Sequence, residues 1–189
     1  MRVVAGEFGG RPLAAPSSRA IRPTSDRLRQ TLFDILAHAY DDPISGARVL
    51  DLFAGTGALG IEALSRGAAY TLFVEEDIEA RSLIRSNIEA LRLTGRTRLF
   101  RRDATALGPA GAVAPFDVAF ADPPYGAGLG EKALVSALAG GWLKPSALCV
   151  LEESTRSAVA PIAGLNLLET REIGDSSLFF YRVAPPATG

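Results

Sequence analysis

The 189 residues predict an α/β protein built on a doubly wound, mostly parallel sheet of seven strands, with a small N-terminal hairpin arm and a helix ahead of it. Three observations carry this expectation. From residue 47 strand-like runs alternate with helical patterns: ARVLDLF, GALGIEALSRG, YTLFVE, DIEARSLIRSNIEALRL, then TRLFRR and FDVAFAD. Such alternation implies crossover units and parallel strands. The runs VLDLF, TLFVE and DVAFA are nearly unbroken apolar stretches, as strands covered on both faces require. Finally, 48% hydrophobic and 22% charged residues are ordinary for a soluble globular chain, which excludes disordered, collagen-like and coiled-coil classes.

The elements follow in order. RVVAGEF, Gly9-Gly10 and RPLAAPSS read as a hairpin arm over residues 1–22, marginal by itself. The globular domain is expected over 23–185. Thr24 or Ser25 can cap a first helix whose apolar face is Leu28, Leu32, Ile35 or Leu36, and Ala39, ending near Asp41-Asp42-Pro43. After the alternating stretch, a helix over Leu129 to Ala139 leads to a fifth strand, ALCVLEE. LNLLETREI and SSLFFYRV then form a closing hairpin around Gly174-Asp175. No window reaches the roughly 18 consecutive apolar residues that cross a bilayer, and the first residues lack the apolar core of a secretory signal, so the expected location is cytoplasmic and no membrane partner is expected.

One cysteine, Cys149, and one histidine, His38, exclude a disulfide, a Cys/His zinc cage and a cysteine-ligated cluster, so no metal is expected. Cys149 within ALCVL reads as a small core residue. The net charge of −1 hides an uneven distribution: residues 1–30 carry +4, residues 85–102 carry +5, and the remainder −10. The glycines and prolines interleaved with the first basic segment mark it as a presented anion-binding surface.

Chemistry concentrates at strand ends. Asp51-Leu-Phe-Ala-Gly55-Thr-Gly57-Ala-Leu-Gly60 runs from a strand through a glycine-rich turn into a helix, where backbone amides can approach a ligand. The spacing matches a dinucleotide fingerprint, which keeps an NAD-dependent oxidoreductase open as an alternative. Asp51 argues otherwise. A carboxylate there crowds a pyrophosphate but suits a ligand carrying an ammonium and a sulfonium, as S-adenosylmethionine does. Glu75, closing YTLFVE, stands where an acid can accept from both ribose hydroxyls, with Glu76 and Asp77 beside it as competitors. Asp103 stands at the exit of the third strand, where an adenine would lie.

Directly after FDVAFA come Asp122-Pro123-Pro124-Tyr125. Two prolines remove two donors and stiffen the turn, leaving the Asp122 carboxylate and the Pro123 carbonyl as acceptors beside an aromatic ring. That is a receptor for a planar exocyclic amine on a flipped base. Placing the amine in line with an electrophilic methyl needs no covalent enzyme intermediate.

Taken with RVVAGEFGGRPL, IRPTSDRLRQTLFDIL, VLDLFAGTGALGIEALSRGA and ADPPY, the chain resembles the RsmD-like family of bacterial small-subunit ribosomal RNA guanine-N2 methyltransferases, within the class I S-adenosylmethionine-dependent methyltransferases. The resemblance spans nearly the whole chain and implies a Rossmann-like fold. It implies cofactor roles for Asp51, Phe53, Ala54, Gly55, Thr56, Gly57, Glu75, Asp103 and Ala104, and a target-amine role for Asp122, Pro123, Pro124 and Tyr125. It also implies that the arm binds RNA, with Arg2, Arg11, Arg22, Thr24 and Arg27 as the candidate contacts. The expected partner of this monomer is small-subunit ribosomal RNA, alone or within an assembling 30S subunit. Adenine N6 methylation of DNA or RNA uses the same kind of loop and stays open, as does a non-catalytic RNA-binding module.

Overall fold

A computed structural model describes residues 1–16 and 25–185. The described helices are α1 (Asp26–Ala39), α2 (Ala58–Ser65), α3 (Ile78–Ala90) and α4 (Leu129–Ala139). The strands are β1 (Arg48–Leu52), β2 (Tyr70–Val74), β3 (Thr97–Phe100), β4 (Phe116–Ala121), β5 (Leu143–Ser154), β6 (Leu165–Ile173) and β7 (Ser176–Val183). They form one seven-stranded sheet in the order β3-β2-β1-β4-β5-β7-β6. The first five strands in that row are parallel, and β7 and β6 close the sheet antiparallel. This is the expected doubly wound architecture.

Successive strand residues divide between two cores, as the two-residue period of a strand requires. Val118 and Phe120 of β4, Leu148 and Val150 of β5, and Phe180 of β7 join α1, α2 and α3 on one face. Ala119, Ala121, Cys149, Leu151 and Tyr181 face the other way, with Ala133, Leu134 and Ala137 of α4 and the wholly buried Trp142. Burial among apolar neighbours pushes the Cys149 thiol up to about 12, so it stays protonated and inert, as its setting in the sequence suggests.

Ser25 caps α1, its side chain accepting from the Leu28 amide at 3.1 Å; Thr24 lies outside the described residues. The buried face is Leu28, Leu32, Phe33 and Leu36, with Ile35 half-buried. Ala39, expected on this face, is exposed, and the core contact at this end of the helix is made by Tyr40, whose ring stacks on buried Phe180 at 5.2 Å. Strand β5 begins four residues before the expected ALCVLEE. Its pairing with β4 jumps from Phe116–Leu143 to Val118–Leu148, so Lys144-Pro145-Ser146, which reads as a loop, is carried in a bulge with Ser146 at φ 63°.

The arm is held to the domain by its backbone. Arg2 bridges Pro12, the Val3 amide donates to Arg11 O and the Gly10 amide to Val3 O, both at 2.9 Å. Val3 and Leu13 enter the helical core cluster. Beneath them the carboxylate of Glu62 on α2, wholly buried, accepts from the amides of Val4 at 2.7 Å and Ala5 at 3.0 Å. Arg66 also reaches Glu62 at 2.8 Å. Ser65 takes the Glu7 and Phe8 amides, and Asn87 of α3 takes the Ala14 amide at 2.7 Å. Two arginines counted in the basic segments are spent on architecture. Arg29 is wholly buried and donates to Arg2 O and Asp26, both at 2.6 Å. Arg96 donates to Leu64 O and Ala68 O, where the carbonyls at the end of α2 collect negative partial charge.

Replacing Glu62 with Ala leaves two arm amides without their acceptor and takes from Arg66 its nearest carboxylate, leaving it Gln30 and Asp34. A loss of about 3 kcal/mol is expected, seen in thermal unfolding as a melting temperature lower by roughly 6–12 °C. An unchanged melting temperature would show that the arm is not fastened through this carboxylate.

Candidate active site

The sheet order reverses direction between β1 and β4: from β1 the chain winds outward to β2 and β3, and from β4 it winds the opposite way to β5. In open α/β sheets the crevice beyond the carboxyl ends of the strands at such a switch is where ligands bind. The glycine loop leaves β1 there and Asp122-Pro123-Pro124-Tyr125 leaves β4 directly beside it, with Leu52 and Ala121 paired in register. Along the same edge Glu75 follows β2 and Asp103 follows β3. At a strand spacing of about 4.8 Å, Asp103 and Asp122 sit at opposite ends of a row ~14 Å long.

The glycine loop is a tight turn with unusual dihedrals. Phe53 stands at φ 58°, a conformation that strains a bulky side chain by roughly 1–2 kcal/mol. The Ala54 amide donates to Val74 O at 3.1 Å and the Gly57 amide to Ala54 O at 2.7 Å. Gly57, at φ 79°, opens α2. Three residues on, Gly60 lets the helix lie directly on the sheet. A Cβ there would sit 2.4 Å from the Phe73 ring, 2.6 Å from Thr71 Cγ2 and 2.9 Å from Asp51 Oδ2. Thr56 is buried at the loop's centre: its carbonyl accepts from Asn87 Nδ2 at 3.0 Å, and its hydroxyl lies 3.7 Å from Met1 Sδ. Asn87 thus joins the arm to this loop through the two ends of its side-chain amide, Oδ1 accepting from Ala14 N and Nδ2 donating to Thr56 O.

Asp51, Glu75 and Asp103 are each held by backbone amides. Asp51 is 1% exposed and accepts from the Gly60 amide at 2.9 Å, so it ties the first turn of α2 to β1. Burial pushes its carboxyl well above the usual range, the Gly60 hydrogen bond opposes this, and the negative charges of Asp122 and Glu75 add to the rise. Glu75 is half-buried and accepts from Gly55 N and Asp77 N, both at 2.8 Å. Asp77 is the cap of α3, accepting from Ala80 N, and Glu76 is exposed, so Glu75 alone of the three acids reaches the glycine loop. Asp103 accepts from the Thr105 amide and hydroxyl at 2.7 Å and opens a short 3₁₀ turn containing the buried Ala104.

In the fourth loop Pro123 is buried, Pro124 is exposed, and Asp122 and Tyr125 are half-buried. The Tyr125 hydroxyl donates to Glu152 Oε1 at 2.6 Å. Burial, together with that neighbouring carboxylate, raises the phenol above its ordinary range. The Gly126 amide donates to Glu153 at 3.1 and 3.2 Å to its two oxygens. Both glutamates lie at the carboxyl end of β5 and are buried. Sequence reasoning passed over this pair as the tail of a strand; two consecutive acids ending an otherwise apolar run were the available signal. Arg2, Arg11 and Arg27 are exposed, while Arg22 and Thr24 lie outside the described residues. Among the described residues no cluster of His, Cys, Asp and Glu could hold a metal ion, and no helix is long and apolar enough to cross a membrane.

A reversed parallel sheet with a strained glycine loop and an acid-lined carboxyl edge defines the class I methyltransferase fold, and the chain is a methyltransferase by kinship as well. The family model described as "Conserved hypothetical protein 95" matches residues 1–182, and the chain belongs to that family, whose members include the Ribosomal RNA small subunit methyltransferase D proteins. The one from Escherichia coli is 36% identical over 86% of this chain and 79% of its own length. That from Haemophilus influenzae is 32% identical over 96% of this chain and 93% of its own. The solved structure described as "Putative methyltransferase yhhF from Escherichia coli" superposes with a TM-score of 0.81 at 32% identity, covering 97% of this chain and 98% of that one. Kinship closes the oxidoreductase alternative.

Two outcomes test the site. Gly60→Ala forces α2 off the sheet and is expected to cost about 2 kcal/mol, a melting temperature lower by roughly 4–8 °C, with weaker binding of S-adenosylhomocysteine by calorimetry. For Asp51, a carboxyl raised by folding takes up a proton, so its contribution to stability is full at acid pH and is lost as pH rises from about 4 through the raised value. Asp51→Asn is therefore expected to flatten the fall of melting temperature with rising pH. An unchanged slope would show that Asp51 is not the group responsible.

Proposed function

We propose that this protein transfers a methyl group from S-adenosylmethionine to the N2 amine of a guanine in small-subunit ribosomal RNA, in the bacterial cytoplasm. The observation that carries the reading is the placement of Asp122-Pro123-Pro124-Tyr125 beside the glycine loop at the switch between β1 and β4. The names of the relatives, Ribosomal RNA small subunit methyltransferase D, support the RNA substrate.

The donor chemistry of the carboxyl edge suits the cofactor. Glu75 is placed to accept from ribose hydroxyls, Asp103 and Ala104 border the adenine end, and the loop from Phe53 through Ala54, Gly55, Thr56 and Gly57 supplies backbone against the amino-acid tail. Asp51 adds the negative charge that an ammonium and a sulfonium favour. When bound, S-adenosylmethionine supplies an electrophilic methyl group. The protein does the rest by position. The Asp122 carboxylate and the Pro123 carbonyl accept the two amine hydrogens, turning the nitrogen lone pair out of conjugation with the ring and toward the methyl. As the new N–C bond would replace the methyl's bond to sulfur, with S-adenosylhomocysteine as the leaving thioether, the amine gives up one proton, which the Asp122 carboxylate is placed to hold. Pro124 stiffens the turn and Tyr125 offers its ring face to the base. Extracting a guanine from its stack costs on the order of a few kcal/mol, least for an unpaired base, so a loop nucleotide is the preferred target.

The arm over residues 1–22, with Arg2, Arg11, Arg22, Thr24 and Arg27, is the proposed RNA contact. Neutralising Arg2, Arg11 and Arg27 together should lower the slope of log affinity against log salt by about 2, because each phosphate contact contributes roughly 0.7 for single-stranded RNA. An unchanged slope would place the RNA elsewhere.

The deciding measurement incubates the enzyme with methyl-labelled S-adenosylmethionine and unmodified small subunits, digests the RNA and identifies the labelled nucleoside by mass spectrometry. N2-methylguanosine is expected, and Asp122→Ala should lower its rate of formation at least about a hundredfold with the fold intact. N6-methyladenosine would replace the target base. RNA binding without transfer would return the chain to a non-catalytic RNA-binding role.

A further inference from the structure

We infer that Glu152 is a positioning residue that fixes the ring of Tyr125 for the target base, through a carboxylate oxygen that accepts from the Tyr125 and Ser176 hydroxyls together. This rests on the methyl-transfer reading above. Glu152 Oε1 accepts from two hydroxyls at once, Tyr125 at 2.6 Å and Ser176 at 2.9 Å, and these two oxygens lie 3.2 Å from each other. Glu152 is 6% and Ser176 is 4% exposed, so water competes little for these bonds. The next residue, Glu153, holds the next residue of the loop: it accepts from Gly126 N and from Ser154 N, the latter at 2.7 Å. Two consecutive acids of β5 thus grip two consecutive residues of the loop, one by its side chain and one by its backbone.

Among the described residues no arginine, lysine or histidine lies within ion-pair distance of either glutamate. A buried carboxylate with no cation is a poor choice for stability alone, since its desolvation is costly and an apolar side chain would fill the space more cheaply. What it offers is a short, directional, charge-assisted bond. Because the phenol proton points at Glu152, the Tyr125 hydroxyl is withdrawn from the substrate and the ring presents a face. Ser176 is the first residue of β7, directly after the Gly174-Asp175 turn, so the antiparallel hairpin that ends the chain's sheet is the far support of the amine-binding loop. A tyrosine ring held at one end by Pro124 and at the other by its own hydroxyl keeps one orientation without help from the base.

The test is a double-mutant cycle on transfer to unmodified small subunits. Tyr125→Phe, which removes only the hydroxyl, and Glu152→Ala should each lower kcat roughly tenfold, with the affinity for S-adenosylhomocysteine unchanged. The double variant should be no slower than the slower single one, since both delete the same bond. Glu152→Gln keeps an acceptor oxygen and should stay within about threefold of the parent enzyme. Losses that multiply to about a hundredfold in the double variant, or a Glu152→Gln as slow as Glu152→Ala, would overturn the assignment. If Glu152→Ala does not fold, Tyr125→Phe decides: a tenfold lower kcat at unchanged melting temperature supports it, and full kcat overturns it. A parent enzyme that labels no guanine would instead remove the functional reading itself.

Discussion

The close approach of α2 to the sheet at Gly60 is the constraint on which the carboxyl edge depends. Without a side chain there, the first turn of the helix comes down onto Phe73 and Thr71, and its amide reaches Asp51. That contact sets where α2 begins, which sets the path of the loop from Phe53 to Gly57, strained dihedral included. The same helix carries Glu62 and Ser65 on a face turned to the arm. One missing methyl group therefore places both the turn that faces the crevice at the switch between β1 and β4 and the platform on which the N-terminal residues lie.

A second theme is the use to which carboxylates are put. Asp51, Glu62, Glu75, Asp77, Asp103 and Glu153 all accept from backbone amides. Among the described residues, only Glu62 of these also meets a cation, Arg66. Loops have unpaired backbone donors where strands and helices stop, and a fixed acid satisfies them at a defined point. The acidic body of this chain is thus in good part the scaffolding of its own turns. The negative charge so gathered at one edge of the sheet is also what a cationic ligand would find there.

Most of the architecture was legible in the sequence because its determinants are local. Unbroken apolar runs mark doubly covered strands, and glycines and prolines mark the turns between them. The seven strands, the four helices and the four loop motifs at the carboxyl edge stand where the pattern put them, with the bulged start of β5 as the exception, since Pro145 imitates a loop. What pattern could not show is partnership. That Arg29 is interior, that Arg96 closes α2, and that Glu152 and Glu153 grip the loop after β4 all depend on contacts between distant segments. Charge counted along a chain does not reveal which guanidinium has been taken into the fold. Spacing likewise does not separate Glu75, Glu76 and Asp77, whereas contacts do: Asp77 caps α3 while Glu75 turns back to Gly55.

The mode of the arm's attachment has an evolutionary corollary. Glu62, Ser65 and Asn87 hold Val4, Ala5, Glu7, Phe8 and Ala14 through main-chain amides, and the anchoring apolar side chains are the buried Val3 and Leu13, with Met1 and Phe8 packed partly buried against the same core. Attachment and surface are therefore written in separate alphabets. The side chains at Arg2 and Arg11 are exposed, with Arg2 3.7 Å from Asp26, so a lineage, or an engineer, can change the charge the arm presents while the main-chain bonds to α2 and α3 stay in place.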